Sequence, residues 1–267
     1  MTVLQAIIMA IVEGITEFLP ISSTAHMALT GAFLGVKDKD FMTLFIETIQ
    51  FGAIISVLVL YWKKFLDFKH YSFYLKLIVA FIPAAIVGVL LKSKIEEVIK
   101  NPVTITIIMF LGGIILLFID KWFKDPVIDT EEKITYKNSL VIGLFQLLAV
   151  VFPGFSRSAA TIMGGMQQKL TRSAAAEFSF FLAVPTLAGA FAKSLWDAWR
   201  HNPGLLTHEN INFLILGNVI AFIVAILAIK VFIAFLVKYG FRGFGWYRII
   251  VGLILLIFLL TGHSLAL

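Results

Sequence analysis

Six apolar stretches, each long enough to cross a bilayer, constrain this chain more than any other feature. They run over roughly residues 42–62, 72–91, 103–122, 174–195, 211–237 and 246–262, and a helix needs about 20 apolar residues to span the hydrocarbon. Composition agrees. Of the 267 residues, 60% are hydrophobic and 14% charged, with a mean hydropathy of +0.97, whereas soluble domains hold about 45–50% apolar and about 25% charged residues. A water-soluble globule, a disordered chain and a collagen-like rod are therefore excluded. The absence of cysteine removes disulfides, thiolate zinc sites and cysteine nucleophiles. The net charge of +6 comes from lysines placed between apolar blocks, which is membrane-loop charge and not a nucleic-acid stripe. Met1–Gln5 carries no basic n-region and no small-residue cleavage site follows, so the first apolar segment is expected to be structure, not a removable signal.

Two further apolar segments, 3–35 and 138–167, are interrupted by proline and hydroxyl residues at Pro20–Thr24 and Pro153–Ser158. Broken backbone at membrane depth is tolerated only where protein or a water-filled cavity satisfies the freed polar groups. Both segments are expected to be re-entrant helix hairpins, with two long kinked spans as the alternative. The fold expected is all-α and integral to the membrane: about six transmembrane helices plus two re-entrant helix hairpins.

The two breaks also align with each other. Glu13 precedes Pro20 by the spacing at which Gln146 precedes Pro153; Ser22-Ser23-Thr24 matches Ser156-Arg157-Ser158; Glu47 and Glu177 follow at similar distances. Leu77-Ile-Val-Ala-Phe-Ile resembles Asn218-Val-Ile-Ala-Phe-Ile, and Gly113-Ile-Ile-Leu-Leu-Phe resembles Gly252-Leu-Ile-Leu-Leu-Ile. One membrane domain, 1–267, would then hold two repeats, about 1–125 and about 138–267. Each repeat is a hairpin plus three spans. Three is odd, so the second copy is expected to be inverted, with a shared site near the membrane midplane. One loop face collects eleven Lys and Arg residues and the other seven, which places the first in the cytoplasm and opens the first hairpin outward.

Chemistry concentrates at the breaks. Glu13 and Glu17 lie four residues apart, one helical turn, on one face. Of two carboxylates so close in a low dielectric, one is expected to hold a proton or both to share a cation, and intramembrane acids are functional candidates; glutamates merely solvated at a helix end are the plainer alternative. Ser22, Ser23 and Thr24 are helix N-cap candidates, but three hydroxyls exceed what one cap needs. His26 follows within the next turn. The second break brings Arg157, whose planar fork suits phosphate oxygens, at the first turn of a helix where free N–H groups favour an anion. Arg157 pairing with Glu13 or Glu177 is the structural alternative. Gly154 permits close backbone approach, and Ser156, Ser158 and Thr161 complete a substrate-binding set with Ser22 and Thr24. Glu47, Gln50, Gln146 and Glu177 are polar groups within spans, expected to back the same cavity. Lys76 and Lys230 are expected to snorkel, and the charge runs Lys92–Lys100 and Asp120–Lys137 to be solvated loops. His70, His201, His208 and His263 share no ligand spacing, and neither a P-loop nor G-x-G-x-x-G occurs, so nucleotide-driven work is unsupported.

At Glu13-Gly-Ile-Thr-Glu17-Phe-Leu-Pro-Ile-Ser-Ser-Thr-Ala-His26 and Pro153-Gly-Phe-Ser-Arg157-Ser-Ala-Ala-Thr161 the chain resembles the bacterial undecaprenyl-diphosphate phosphatases, also called bacitracin-resistance proteins, over essentially its whole length. The resemblance implies hydrolysis of C55-isoprenyl diphosphate to the monophosphate and inorganic phosphate in the bacterial cytoplasmic (inner) membrane, at an outward-facing site. It further implies recycling of the lipid carrier for envelope polymers, resistance to bacitracin and dependence on a divalent cation. Glu13, Glu17, Ser23, His26 and Arg157 match that family's catalytic positions. The expected mechanism has Arg157 grip the diphosphate while Glu13 and Glu17 bind magnesium or calcium. Ser23 is the candidate nucleophile and His26 its base or the acid to the leaving group, with direct attack by metal-activated water left open. Expected partners are the polyprenyl diphosphate lipid and membrane lipid, with a homodimer among the open oligomeric states. The competing class is a polyprenyl-phosphate transporter or flippase, which would need the arginine but not the histidine and hydroxyl cluster.

Overall fold

The computed structural model describes residues 1–91, 98 and 101–261. His263 and, Val98 apart, the Lys92–Lys100 run lie outside the described residues. Among the described residues, ten helices of at least eleven residues carry the fold: α1 (Val3–Thr16), α2 (Ser23–Phe33), α3 (Lys39–Leu60), α4 (Tyr71–Leu90), α5 (Pro102–Trp122), α6 (Tyr136–Val151), α7 (Arg157–Gln167), α8 (Arg172–His201), α9 (His208–Tyr239) and α10 (Arg242–Leu260). Helix starts follow from local chemistry. Thr2 and Thr135 each form a capping box, Asp38, Asn101, Thr171 and Thr207 accept N–H groups of the first turn, and Pro102 opens α5 where its missing N–H costs nothing.

Helices α3, α4, α5, α8, α9 and α10 are long and apolar enough to cross a membrane, and they coincide with the six expected spans. The protein is a multi-pass membrane protein. Helix α1 has 14 residues, about 21 Å at 1.5 Å per residue, short of the roughly 30 Å hydrocarbon core. It breaks at 17–22 and packs back on α2, as α6 breaks at 152–156 and packs back on α7.

Around this pair, α10 packs on α5, α9 on α3 and α1, α4 on α6, and α8 on α3, α4 and α7. If α1–α5 correspond to α6–α10, the α1–α9 contact maps onto the α6–α4 contact, and α3–α9 onto α8–α4. Small residues allow these approaches: a Cβ on Gly52 would overlap the Asn218 carbonyl, and one on Gly143 the Ala80 carbonyl. The largest buried cluster joins Phe18 and Ile21 of the first break to Phe178, Phe180 and Phe181 of α8, so the floor of the hairpin is packed protein.

Loop charges depart from expectation at one end of the bundle. Lys76 does not snorkel; it is buried and donates to the carbonyls of Glu131 and Glu132 at 3.1 and 3.2 Å. The Asp120–Lys137 run is not simply solvated either. Glu131 is buried and meets Lys64 at 2.7 Å, while Asp120 meets Arg172 at 2.7 Å. Partner charges arriving from distant segments draw these groups inward, which linear spacing does not reveal. Lys230 is exposed.

The hydrogen bond from Lys64 holds the Glu132 carboxyl down at about 2, below its usual 4.5. A depressed carboxylate contributes stability that is fully present above its ordinary value and lost as pH falls through its folded value. Thermal unfolding in detergent should therefore show wild type above Glu132→Gln by a constant margin at pH 5–8. That margin should shrink between about pH 4.5 and about pH 2.

Candidate active site

Both breaks use the same backbone device. Ser22 has φ 71° and Ser156 φ 80°, a left-handed region that costs a non-glycine residue on the order of 1–3 kcal/mol. Each serine then caps the helix it opens: Ser22 Oγ accepts the Ala25 N–H at 3.4 Å and Ser156 Oγ the Ala159 N–H at 3.3 Å. Gly154, at φ 97°, lets the second break press against the Ile105 carbonyl, where a Cβ would overlap. The reversals place Ser23 and Arg157 at the first position of α2 and α7.

The two hairpins meet at Glu17. Its side chain is buried; Oε2 accepts the Ser23 hydroxyl at 2.6 Å and Oε1 accepts Arg157 Nη2 at 3.1 Å. Arg157 Nη1 donates to the Ser179 carbonyl of α8 at 3.1 Å, and its buried Nε–H has no partner. Ser158 Oγ reaches across to the Leu19 carbonyl at 2.8 Å, a second stitch between the breaks. A cavity of about 380 Å³ lies here, its lining combining Glu17, Ser22, Ser23, Thr24, Gln50, Ser156 and Arg157 with Gly88, Ala149, Val150, Pro153, Gly154 and Leu187. That size and mixture suit a small polar head with an apolar continuation.

Glu13 sits one turn behind Glu17, fully buried, with no hydrogen bond to either carboxyl oxygen. Gln146, seven residues before Pro153 as Glu13 is before Pro20, is likewise buried with an unpartnered Nε2, its Oε1 accepting from Thr186 at 3.4 Å. Among the described residues no three His, Asp or Glu groups gather as a metal-ligand set.

His26 does not meet Ser23. Its Nδ1 lies 2.8 Å from the Ser22 carbonyl and Nε2 lies 2.7 Å from Tyr247 Oη, with the two rings stacked at 5.6 Å. A carbonyl only accepts, so Nδ1 carries the proton in the neutral ring and Nε2 accepts from the tyrosine. The acceptor beside the serine is therefore Glu17, not the expected histidine.

Four other residues named from sequence lie elsewhere. Ser158 and Thr161 are buried; Thr161 bonds Ser179 Oγ at 2.6 Å and does not line the cavity. Glu47 lies in a separate cleft with Asp40, Asp197 and His201, and Glu177 has Lys64, Glu131 and Glu132 as its charged neighbours. Sequence reasoning missed Ser179, Tyr247 and Arg248. Only Arg248 left a signal, a cation inside an apolar helix; Tyr247 reads like any interfacial aromatic.

A model of the Bacitracin resistance protein BacA family matches residues 6–254. An undecaprenyl-diphosphatase of Flavobacterium johnsoniae is 54% identical over 99% of both chains. One of Flavobacterium psychrophilum is 52% identical over the full length of both, and one of Porphyromonas gingivalis 47% identical, again over both whole chains. With this coverage and two hairpins converging on one buried carboxylate, the chain belongs to the Bacitracin resistance protein BacA family.

Proposed function

We propose that the protein hydrolyses undecaprenyl diphosphate to undecaprenyl phosphate and inorganic phosphate. The activity for which its relatives are named supports this reading, and one observation carries it: a single buried carboxylate accepts both a serine hydroxyl from one hairpin and an arginine from the other. A flippase would need the cation but not the serine–carboxylate pair.

Arg157, which lines the cavity, and the N–H groups at the start of α7 hold the diphosphate. Ser23 Oγ attacks the terminal phosphorus, its proton passes to Glu17 Oε2, and the bond between that phosphorus and the bridging oxygen breaks. Lipid monophosphate leaves and the phosphoryl group rests on Ser23. Water then attacks this phosphoserine, inorganic phosphate departs, and Glu17 returns its proton to Ser23 Oγ. Arg157 faces charge spread over the phosphoryl oxygens throughout. Glu13, whose carboxyl oxygens meet no N–H or hydroxyl donor, and Glu17 would hold a divalent cation of the magnesium or calcium type, which takes oxygen ligands. Such an ion, when bound, neutralises phosphate charge. His26 orients the first turn of α2 through the Ser22 carbonyl.

The paired serine caps and the exchanged helix contacts support two copies of one unit, about 1–125 and 138–267, the second inverted. The loop-charge bias of eleven to seven supports a site opening to the outer face of the bacterial inner membrane. Hydrolysis there removes the diphosphate that bacitracin sequesters and returns the carrier to envelope synthesis.

Purified wild type in detergent should release phosphate from a polyprenyl diphosphate, with loss on chelation and recovery on adding magnesium or calcium. Ser23→Ala and Arg157→Ala should each lower kcat/KM at least about 100-fold. No release by wild type, or full activity in Arg157→Ala, would contradict the proposal.

A second prediction concerns His26. Nitrogen-15 NMR of the neutral ring should show a protonated Nδ1 and a bare Nε2, and Tyr247→Phe should shift the Nε2 resonance alone. A protonated Nε2 in the neutral ring would contradict the assignment.

A further inference from the structure

Arg248 is the largest fully buried side chain among the described residues, with no exposed surface. It lies on α10, whose sequence around it is otherwise apolar and aromatic. Removing a guanidinium from water is costly unless every donor finds a partner, so its contacts carry information. All four hydrogen bonds go to backbone carbonyls. Nε donates to Met109 of α5 at 3.0 Å, Nη1 to Pro20 at 3.2 Å and Phe155 at 2.6 Å, and Nη2 to Gly154 at 3.0 Å.

Pro20 belongs to the first break; Gly154 and Phe155 belong to the second. One rigid fork thus ties both reversals to each other and to α5. The tied carbonyls immediately precede the reacting side chains: Pro20 lies three residues before Ser23, and Phe155 two before Arg157. Ser22, Ser23, Ser156 and Arg157 line the cavity; of the tied residues Gly154 lines it as well, whereas Pro20, Phe155 and Arg248 itself do not. Its place is cut to size. A Cβ on Gly112 of α5 would overlap Nη2, and the guanidinium carbon sits 5.9 Å from the Phe155 ring centre.

We propose that Arg248 is a positioning residue for hydrolysis: by clamping both hairpin breaks it sets the separation of the Ser23–Glu17 pair from Arg157, and it acts on turnover rather than on substrate affinity. The inference rests on the reaction proposed above. Arginine is required by geometry, because lysine offers one nitrogen on a flexible stem and cannot span carbonyls from three elements. A misplacement of about 1 Å can cost on the order of 100-fold in rate.

The test compares wild type, Arg248→Lys, Arg248→Met and Gly112→Ala, the last leaving the arginine in place while crowding its guanidinium. Two readouts are taken: kcat and KM for phosphate release from a polyprenyl diphosphate in detergent, and the spin-label distance between cysteines placed at exposed Phe33 on α2 and Leu144 on α6, in a chain without native cysteine. Expected are a kcat at least about 100-fold lower in Arg248→Lys with KM near wild type, a smaller fall of the same kind in Gly112→Ala, and a broadened or displaced distance in Arg248→Met. Unchanged kcat in Arg248→Lys, a defect confined to KM, or a wild-type distance distribution in Arg248→Met would overturn the inference. Absence of hydrolysis by wild type would instead overturn the proposed reaction, while the distance measurement would still decide the clamp.

Discussion

A buried carboxylate between two broken helices organises this molecule. Glu17 spends one oxygen on Ser23, within its own hairpin, and the other on Arg157, from the opposite hairpin. Neither charge is cheap in a low dielectric, and removing one partner of such a pair leaves the other uncompensated. The rest of the fold serves that meeting. Left-handed serines reverse each hairpin, Ser158 stitches the second break to the first, and phenylalanines of α8 pack beneath. Arg248 ties the two turns together.

The surroundings explain why a polar site can persist in so apolar a chain. The cavity lining mixes polar residues with Gly88, Ala149, Val150 and Leu187. A ligand with a phosphate head and a hydrocarbon tail suits such a mixed lining, and the low dielectric strengthens each contact made to the head.

Much of this is legible in the sequence, and the remainder is hidden for identifiable physical reasons. The spans can be read because length and hydropathy are local properties. The hairpins can be read because proline and clustered hydroxyls interrupt a membrane helix and demand protein or water around the freed backbone. Glu17, Ser23 and Arg157 stand out because matched breaks imply a common site. What a side chain faces is another matter. Glu47 and Glu177 resemble cavity residues in one dimension but lie in other clefts or beside other charges. His26 looks poised beside the hydroxyls, yet its Nε2 partner is Tyr247, 221 residues away. Lys76 meets Glu131 rather than the interface. Arg248, whose partners are all carbonyls, has no charged counterpart for a motif to reveal.

The central claim is that the two hairpins act as one unit through Glu17. A double-mutant cycle on Glu17→Gln and Arg157→Gln, read as kcat/KM for phosphate release, addresses it most directly. Each substitution alone should cost at least about 100-fold, and the double variant should be little worse than the more damaged single, as for residues that work together. Losses that multiply, with the double variant falling by the product of the two, would show the hairpins working independently and contradict the account.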